Sequence, residues 1–98
     1  MSEPFCTTHV SGDKYWRNKE GQFHRDDGPA IELPNGKKEW YQNGELHHID
    51  GPAVEYADGE KEFYVRGEYC KTFKQFFDAI PEENREAALL FIAEFENV

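Results

Sequence analysis

Histidine, cysteine and carboxylate side chains recur in this chain at a fixed spacing, and these residue types bind metal ions or catalyse reactions. His24, His47 and Cys70 are separated by intervals of 23 residues. Zinc requires its ligands about 2.0–2.3 Å from the ion. Equivalent positions two strands apart are separated by about 9–10 Å at a strand spacing of about 4.8 Å. We therefore do not expect these three side chains to share one ion.

A second metal site would combine His24 with Asp26 or Asp27 and with His48 from an adjacent strand. The competing interpretation is structural: His24 and His47 hydrogen-bond to the backbone of turns and stack on neighbouring aromatic rings. We predict no bound metal and no cofactor, and we keep the site made of His24, Asp26 or Asp27, and His48 as an alternative.

The sequence offers little for catalysis. The acidic pairs Asp26-Asp27 and Glu82-Glu83 are adjacent in sequence, and neighbouring residues on a strand point to opposite faces. No serine lies in a nucleophile-elbow motif, and no glycine-rich loop matches a phosphate cradle. Cys70 near His47 or His48 would resemble a thiol–imidazole pair, but nothing in the sequence indicates an activated thiol. We predict that the chain is not an enzyme; a small metal-dependent enzyme is the remaining enzymatic alternative.

The histidines belong to a repeat. Residues 24–30 read HRDDGPA and residues 47–53 read HHIDGPA. When residues 24–46 are placed over residues 47–69, twelve of the 23 positions are identical without a gap. A fixed period of this length is typical of repeat architectures, in which each unit buries its apolar surface on its neighbour.

Half a unit precedes the two full ones. Residues 12–23 align with residues 36–46 and 59–69, with one extra residue between the aromatic position and the glycine, which predicts a longer hairpin loop or a bulge. The dipeptides Asn35-Gly36, Asn43-Gly44 and Asp58-Gly59 are strong hairpin signals, because both central positions of a type I′ turn need a positive φ.

A second turn recurs in each full unit as Asp-Gly-Pro. The carboxylate is expected to bond nearby backbone amides, glycine gives flexibility, and proline fixes φ. Proline cannot donate to a strand ladder, so this turn is expected at the start or edge of a strand. The predicted turn residues are Asp27, Gly28, Pro29, Asp50, Gly51 and Pro52.

Alternation along the predicted strands assigns the aromatic residues to two faces. Trp40 and Phe63 share one face, whereas Tyr41 and Tyr64 point to the other. A row of aromatic side chains on a repeat sheet is a plausible protein-binding strip; the alternative is that the rings pad the hairpins against each other. The candidate partner-binding residues are Trp16, Trp40, Tyr41, Phe63, Tyr64, Glu39 and Glu62.

Both faces carry aromatic residues, so one face needs a cover. Phe73, Phe76, Phe77 and Ile80 recur at helical spacing, after Thr72 and Gln75 in a capping-box pattern. Pro81 is expected to begin a second helix, with Ala88, Phe91, Ile92 and Phe95 as its apolar stripe. We predict one α+β domain over residues 1–98: a lead-in (1–11), an antiparallel meander of about six strands (12–70) and two short helices packed on the sheet (71–98).

The overall charge restricts the partners. The formal net charge is −9, which disfavours direct binding to nucleic acid and to anionic membranes and favours a protein partner with a basic surface. The acidic residues are spread through the chain, as on an ordinary solvated surface. The two cysteines form no CxxC motif, and no signal peptide or membrane span is recognisable, so we expect a cytoplasmic protein with reduced thiols.

The repeat resembles the MORN-like variant repeats of small bacterial and bacteriophage proteins. The resemblance covers residues 12–70 and is carried best by Trp40-Tyr41, Gly44, His47 and residues 50–53, although a strict MORN unit lacks the Asp-Gly-Pro-Ala turn. It implies an elongated sheet of consecutive hairpins and a binding or scaffolding role. Many short chains of this type come from phage genomes, and small acidic phage proteins often inhibit host enzymes, including defence nucleases.

Together these features predict a non-catalytic protein-binding module. The sharper hypothesis is a phage-encoded acidic inhibitor that docks in the host cytoplasm on a basic surface of a nucleic-acid-processing or defence complex of the CRISPR type. The alternative is a self-assembling structural or immunity-type repeat protein. A homodimer formed through the edges of the sheet is compatible with either.

Overall fold

The computed structural model describes residues 4–89. It contains nine short strands, one α-helix and a second helical segment. The elements in chain order are β1 (Phe5–Thr8), β2 (Lys14–Arg17), β3 (Ile31–Glu32), β4 (Lys38–Glu39), β5 (Tyr41–Gln42), β6 (Glu45–Leu46), β7 (Val54–Glu55), β8 (Lys61–Val65), β9 (Glu68–Cys70), α1 (Phe73–Ala79) and a 3-10 turn (Glu82–Asn84) that leads into helical residues 85–89.

The strands form an antiparallel meander, which confirms the predicted α+β fold. Seven strands pair in the order β1-β2-β3-β4-β7-β8-β9, and β5 and β6 pair as a separate hairpin. Two features contribute to the larger number of strands than predicted. Trp40 interrupts one extended segment, so that its first half (β4) pairs with β7 and its second half (β5) pairs with β6. The predicted lead-in supplies a further strand.

The lead-in is part of the repeat array. Strand β1 pairs with β2 in the register Thr8↔Lys14, which is the same position in the unit as Glu32↔Lys38. Sequence comparison misses this strand because Phe5–Thr8 shares no identical residue with the equivalent positions 29–32. Strand β1 occupies one edge of the sheet, and all four of its residues are exposed.

The turns follow two designs. Asn43-Gly44 has φ values of 51° and 85°, and Arg66-Gly67 has φ values of 52° and 82°, as a type I′ hairpin requires. The type I′ prediction is wrong at Asn35-Gly36 and Asp58-Gly59, where only the glycine has a positive φ. These two loops are one residue longer: the N–H of Gly36 donates to Leu33, and the Leu33 N–H donates to Lys37.

The extra residue in the first unit lengthens its hairpin loop, as predicted. The backbone N–H of Asn18 donates to the carbonyl of Gln22, which encloses three loop residues instead of two. The Asn18 side chain organises this loop, because its Oδ1 accepts hydrogen bonds from the N–H groups of Glu20 and Gln22.

Successive units are joined by hydrogen bonds that repeat with the sequence. The N–H of Trp16 donates to the carbonyl of Ala30, and the N–H of Trp40 donates to the carbonyl of Ala53. Both alanines are completely buried, so this position has no room for a longer side chain. A second joint connects the hairpin tips through Gly44 N–H to Phe23 O and Gly67 N–H to Leu46 O.

The helical segment covers the last hairpin. Thr72 caps α1 with the predicted capping box: its hydroxyl accepts from the Gln75 N–H, and the Gln75 side chain accepts from the Thr72 N–H. Phe76 and Ile80 are fully buried, and they form the largest described apolar cluster with Val65, Cys70 and Ala88. Pro81 precedes the 3-10 turn. The predicted stripe residues Phe91, Ile92 and Phe95 lie outside the described residues.

Candidate protein-binding surface

Helix α1 packs on the face of the sheet that carries Phe63. The Phe63 ring makes edge contacts with Phe73 and Phe76, at centroid distances of 5.5 and 5.1 Å. Because Tyr64 follows Phe63 within β8, its side chain points to the opposite face. Helix α1 therefore leaves the face with Tyr41 and Tyr64 uncovered; we call this side the tyrosine face and the other side the tryptophan face.

On the tryptophan face, each aromatic ring is covered by the unit that follows it. The guanidinium carbon of Arg25 lies 3.9 Å from the centroid of the Trp16 ring. His48, which occupies the same position one repeat later, stacks on Trp40 at 4.8 Å and 6°. The predicted partner-binding residues Trp16, Trp40 and Phe63 thus form internal contacts, consistent with padding between units.

The Asp-Gly-Pro-Ala turn holds these planar groups in place. Arg25 Nη1 donates to the carbonyl of Pro29 at 3.2 Å, and His48 Nδ1 bonds the carbonyl of Pro52 at 2.8 Å. Since a carbonyl only accepts, His48 carries its proton on Nδ1. A Cβ atom on Gly28 would lie 2.9 Å from the Arg25 guanidinium carbon, so glycine makes room for the stacked group.

The prediction that the carboxylates of the Asp-Gly-Pro turns accept hydrogen bonds from backbone amides is wrong for the described residues 4–89. Asp27 instead accepts from Arg25 Nε at 2.9 Å, and the same guanidinium lies over Trp16. A cleft of 510 Å³ lies between the two successive turns, with Trp40 in its wall and the carboxylates of Asp26 and Asp50 among its lining groups.

On the tyrosine face, aromatic rings from residues 12–46 form a continuous row. Tyr15 stacks with Phe23 at 5.8 Å, and Phe23 contacts Tyr41 at 5.3 Å. Farther along, Tyr64 contacts Tyr69 at 5.3 Å. Tyr15, Phe23 and Tyr69 were missed by the sequence analysis. The repeat register contained a usable signal, because Phe23, Leu46 and Tyr69 occupy one position of the unit.

Carboxylates hold the tyrosine hydroxyls on this face. Tyr41 donates to Glu39 at 2.8 Å, and Tyr56 donates to Glu62 at 2.9 Å. Burial, followed by the bond to Glu39, raises the pKa of Tyr41 above its usual value. Burial and then the nearby Glu62 charge raise the pKa of Tyr64. Four predicted partner-binding residues, Glu39, Tyr41, Glu62 and Tyr64, are therefore brought together as partly buried side chains on one face.

On the tryptophan face of the main sheet, positive and negative charges alternate. Cross-strand neighbours place lysine and glutamate in alternation, so that each charge lies beside its opposite across the strands. The row reads Lys14, Glu32, Lys38, Glu55 and Lys61 in register. With three lysines and two glutamates, this row carries no excess of negative charge.

His24 and His47 make the hydrogen bonds to turn backbone that were the alternative to metal binding, whereas the histidine that stacks on a tryptophan is His48. The Nδ1 atom of His24 accepts from the Asn43 N–H at 3.0 Å, and the Nδ1 atom of His47 accepts from the Arg66 N–H at 2.9 Å. Each bond fixes the residue of positive φ in the next hairpin turn. Burial and then the charge of Arg66 lower the pKa of His47, which keeps its Nδ1 free to accept.

The other candidate sites receive no geometric support. Across the part of the chain that the structure describes, no three His, Cys, Asp or Glu side chains converge to hold a metal ion. His24 Nε2 lies 3.1 Å from Asp26, whereas His48 is engaged with Trp40. Cys70 is buried in the apolar cluster, and burial raises the pKa of its thiol, which disfavours a nucleophilic thiolate.

Comparison with protein-family models, curated proteins and solved structures finds no match. None of the helices among residues 4–89 combines the length and apolar character needed to cross a membrane.

Proposed function

We propose that this protein is a non-catalytic binding module whose tyrosine face docks on a basic surface of a protein partner. The observation that carries the proposal is the grouping of partly buried tyrosines with Glu39 and Glu62 on the face that α1 leaves uncovered. Tyrosine is enriched among residues that dominate protein interfaces. The net charge of −9 accelerates encounter with a basic partner.

We further propose, from the resemblance to repeat proteins of phages, that the partner is a host nucleic-acid-processing or defence complex of the CRISPR type. Such complexes present basic grooves, because they bind a phosphate backbone. An acidic protein seated on such a groove would compete with nucleic acid without any chemistry of its own. In this proposal the chain is a phage-encoded inhibitor acting in the host cytoplasm.

A capture experiment with matched variants tests this proposal. Tagged protein is incubated with nuclease-treated bacterial lysate at low and high salt, and retained proteins are identified by mass spectrometry. Glu62→Gln removes one charge from the tyrosine face, whereas Glu55→Gln removes one from the opposite face. We expect a stoichiometric nucleic-acid-processing protein that elutes with salt, with reduced capture by Glu62→Gln and unchanged capture by Glu55→Gln. Equal effects of both variants, or recovery of the bait alone, would contradict the proposal.

The second candidate function is self-assembly, and the exposed edge strand β1 favours it. Strand β1 contains no charged residue and no proline, the features that commonly protect an edge from pairing. Two copies joined along β1 would form a homodimer with a continuous sheet. Light scattering over a range of protein concentrations tests this function: a salt-resistant dimer that Thr7→Pro abolishes would support it, and a monomer at every concentration would refute it.

A further inference from the structure

We infer that the tyrosine face binds an arginine side chain of the partner at the surface formed by Glu62, Tyr64 and Tyr69. This inference rests on the proposed function and specifies the chemistry of the partner. It starts from the way the chain binds its own cations along the same face.

The chain's own cations lie against rings and carboxylates in the first two thirds of the tyrosine face. The guanidinium carbon of Arg17 lies 4.9 Å from the Phe23 ring centroid and 5.5 Å from that of Tyr15. Lys37 Nζ lies 5.0 Å from the centroid of Tyr56 and 3.3 Å from Glu39. Each cation therefore uses a ring face of this side, and Lys37 also uses a carboxylate.

The last third of the face has the rings and the carboxylate but a different residue at each cation position. The repeat places Tyr64 where Arg17 stands in the first unit, and Glu60 where Lys37 stands in the second. Among residues 4–89, no lysine or arginine lies over Tyr64 or Tyr69 or pairs with Glu62. This surface therefore has the rings and the carboxylate that contact a cation in the preceding units, but its own repeat positions for that cation hold other residues.

The geometry favours a guanidinium over an ammonium. Tyr64 and Tyr69 are tilted by 49° at 5.3 Å, and Tyr69 is 55% exposed, so a flat group can lie on its ring. Glu62 Oε1 accepts from the Tyr56 hydroxyl, which leaves Oε2 for an incoming donor. A guanidinium stacks on a ring and donates to a carboxylate at the same time, whereas an ammonium is a compact, strongly hydrated charge.

The tryptophan face contains an example of this arrangement within the same molecule. Arg25 lies 3.9 Å from the centroid of Trp16 while its Nε donates to Asp27 at 2.9 Å. Arg25 Nη1 also contacts the Pro29 carbonyl at 3.2 Å and Glu32 at 3.4 Å, so this fold holds a guanidinium by combining a ring face with carboxylate and carbonyl acceptors.

The test titrates blocked tri-arginine, tri-lysine and tri-citrulline peptides into the isotopically labelled full chain and follows backbone amide shifts by NMR. We expect tri-arginine to shift the signals of Glu62, Tyr64 and Tyr69 and to bind more tightly than tri-lysine, with no binding of tri-citrulline. Glu62→Gln and Tyr69→Ser are each expected to weaken tri-arginine binding by about two- to fivefold. Glu55→Gln, which removes the same charge from the other face, is expected to leave it unchanged.

Several outcomes would overturn the inference: equal affinity for tri-arginine and tri-lysine, shifts confined to other parts of the surface, or equal weakening by Glu62→Gln and Glu55→Gln. Amide spectra of each variant establish that it is folded. The two proposals fail separately. A partner captured from lysate without an arginine site at Tyr64 and Tyr69 would contradict the inference alone, whereas an arginine site without any captured partner would contradict the proposed function alone.

Discussion

The hydrogen bond from the Arg66 N–H to His47 Nδ1 predicts a specific loss of stability on substitution. The bond measures 2.9 Å and fixes a turn residue with φ of 52°. His47→Ala removes the acceptor, and an unsatisfied buried donor costs about 1–3 kcal/mol. Because Arg66 is exposed, water reaches part of this group, and we expect about 1 kcal/mol. For a chain of this size that corresponds to a decrease of about 4–8 °C in Tm.

His47→Asn separates the hydrogen bond from the rest of the ring. The Oδ1 atom of asparagine occupies nearly the same position as Nδ1 of histidine and accepts the same bond. Thermal unfolding followed by circular dichroism should therefore rank the proteins as wild type, His47→Asn and His47→Ala in order of decreasing Tm. If the asparagine variant is as unstable as the alanine variant, ring packing rather than the acceptor atom is responsible, and the reasoning is wrong.

The same bond gives a direction for the pH dependence. Burial and Arg66 lower the pKa of His47 from 6.5 in the folded protein, so the unfolded chain binds more protons at mildly acidic pH. The contribution of His47 to the free energy of unfolding is fully present above about pH 6.5 and decreases as the pH falls below that value. His47→Asn should reduce the decrease in Tm between neutral and mildly acidic pH, and an unchanged decrease would assign the effect to other groups.

Two further predictions concern the helical segment. Phe76→Ala, at a fully buried position, is expected to destabilise the protein by about 3–5 kcal/mol. The control Phe5→Ala, at a position 55% exposed, should change stability by less than about 0.5 kcal/mol. Denaturant unfolding measures both, and similar values for the two variants would contradict the assigned core. Thr72→Ala removes the hydroxyl that accepts from Gln75 and should cost about 1 kcal/mol, with Thr72→Ser close to wild type; a loss equal to that of Thr72→Ala in the serine variant would refute the capping role.

Local features of this fold were predictable from sequence, because single residues determine them. Asn43-Gly44 takes the left-handed conformation that few other dipeptides adopt readily, and Thr72 with Gln75 makes the expected capping box. The Arg66-Gly67 turn was not predicted, since arginine gives no turn signal. The repeat imposes it: Arg66 occupies the position of Asn43 and is held there by the equivalent histidine.

The choice of face was not predictable, because alternation places aromatic residues on both sides. The structure shows that Phe63 receives α1, and the difference from Trp40 lies in the following unit. Trp40 is covered by His48, whereas the residue equivalent to His48 after Phe63 is Lys71, which is exposed, and the rings of Phe73 and Phe76 cover Phe63 instead. Identifying the covered face requires knowing which later residue reaches each ring, and this depends on the three-dimensional path of the chain.

The bonds between units have a consequence for the length of the array. Each joint uses the same atoms on both sides, as in Trp16 with Ala30 and Trp40 with Ala53, so a unit presents to its successor what its predecessor presented to it. An additional copy of residues 24–46 would therefore meet matching donors and acceptors at both of its ends. Each copy would also extend the tyrosine face by one glutamate and one tyrosine, equivalent to Glu39 and Tyr41. In such a chain the length of the tyrosine face is set by the number of units, independently of how the last hairpin is closed.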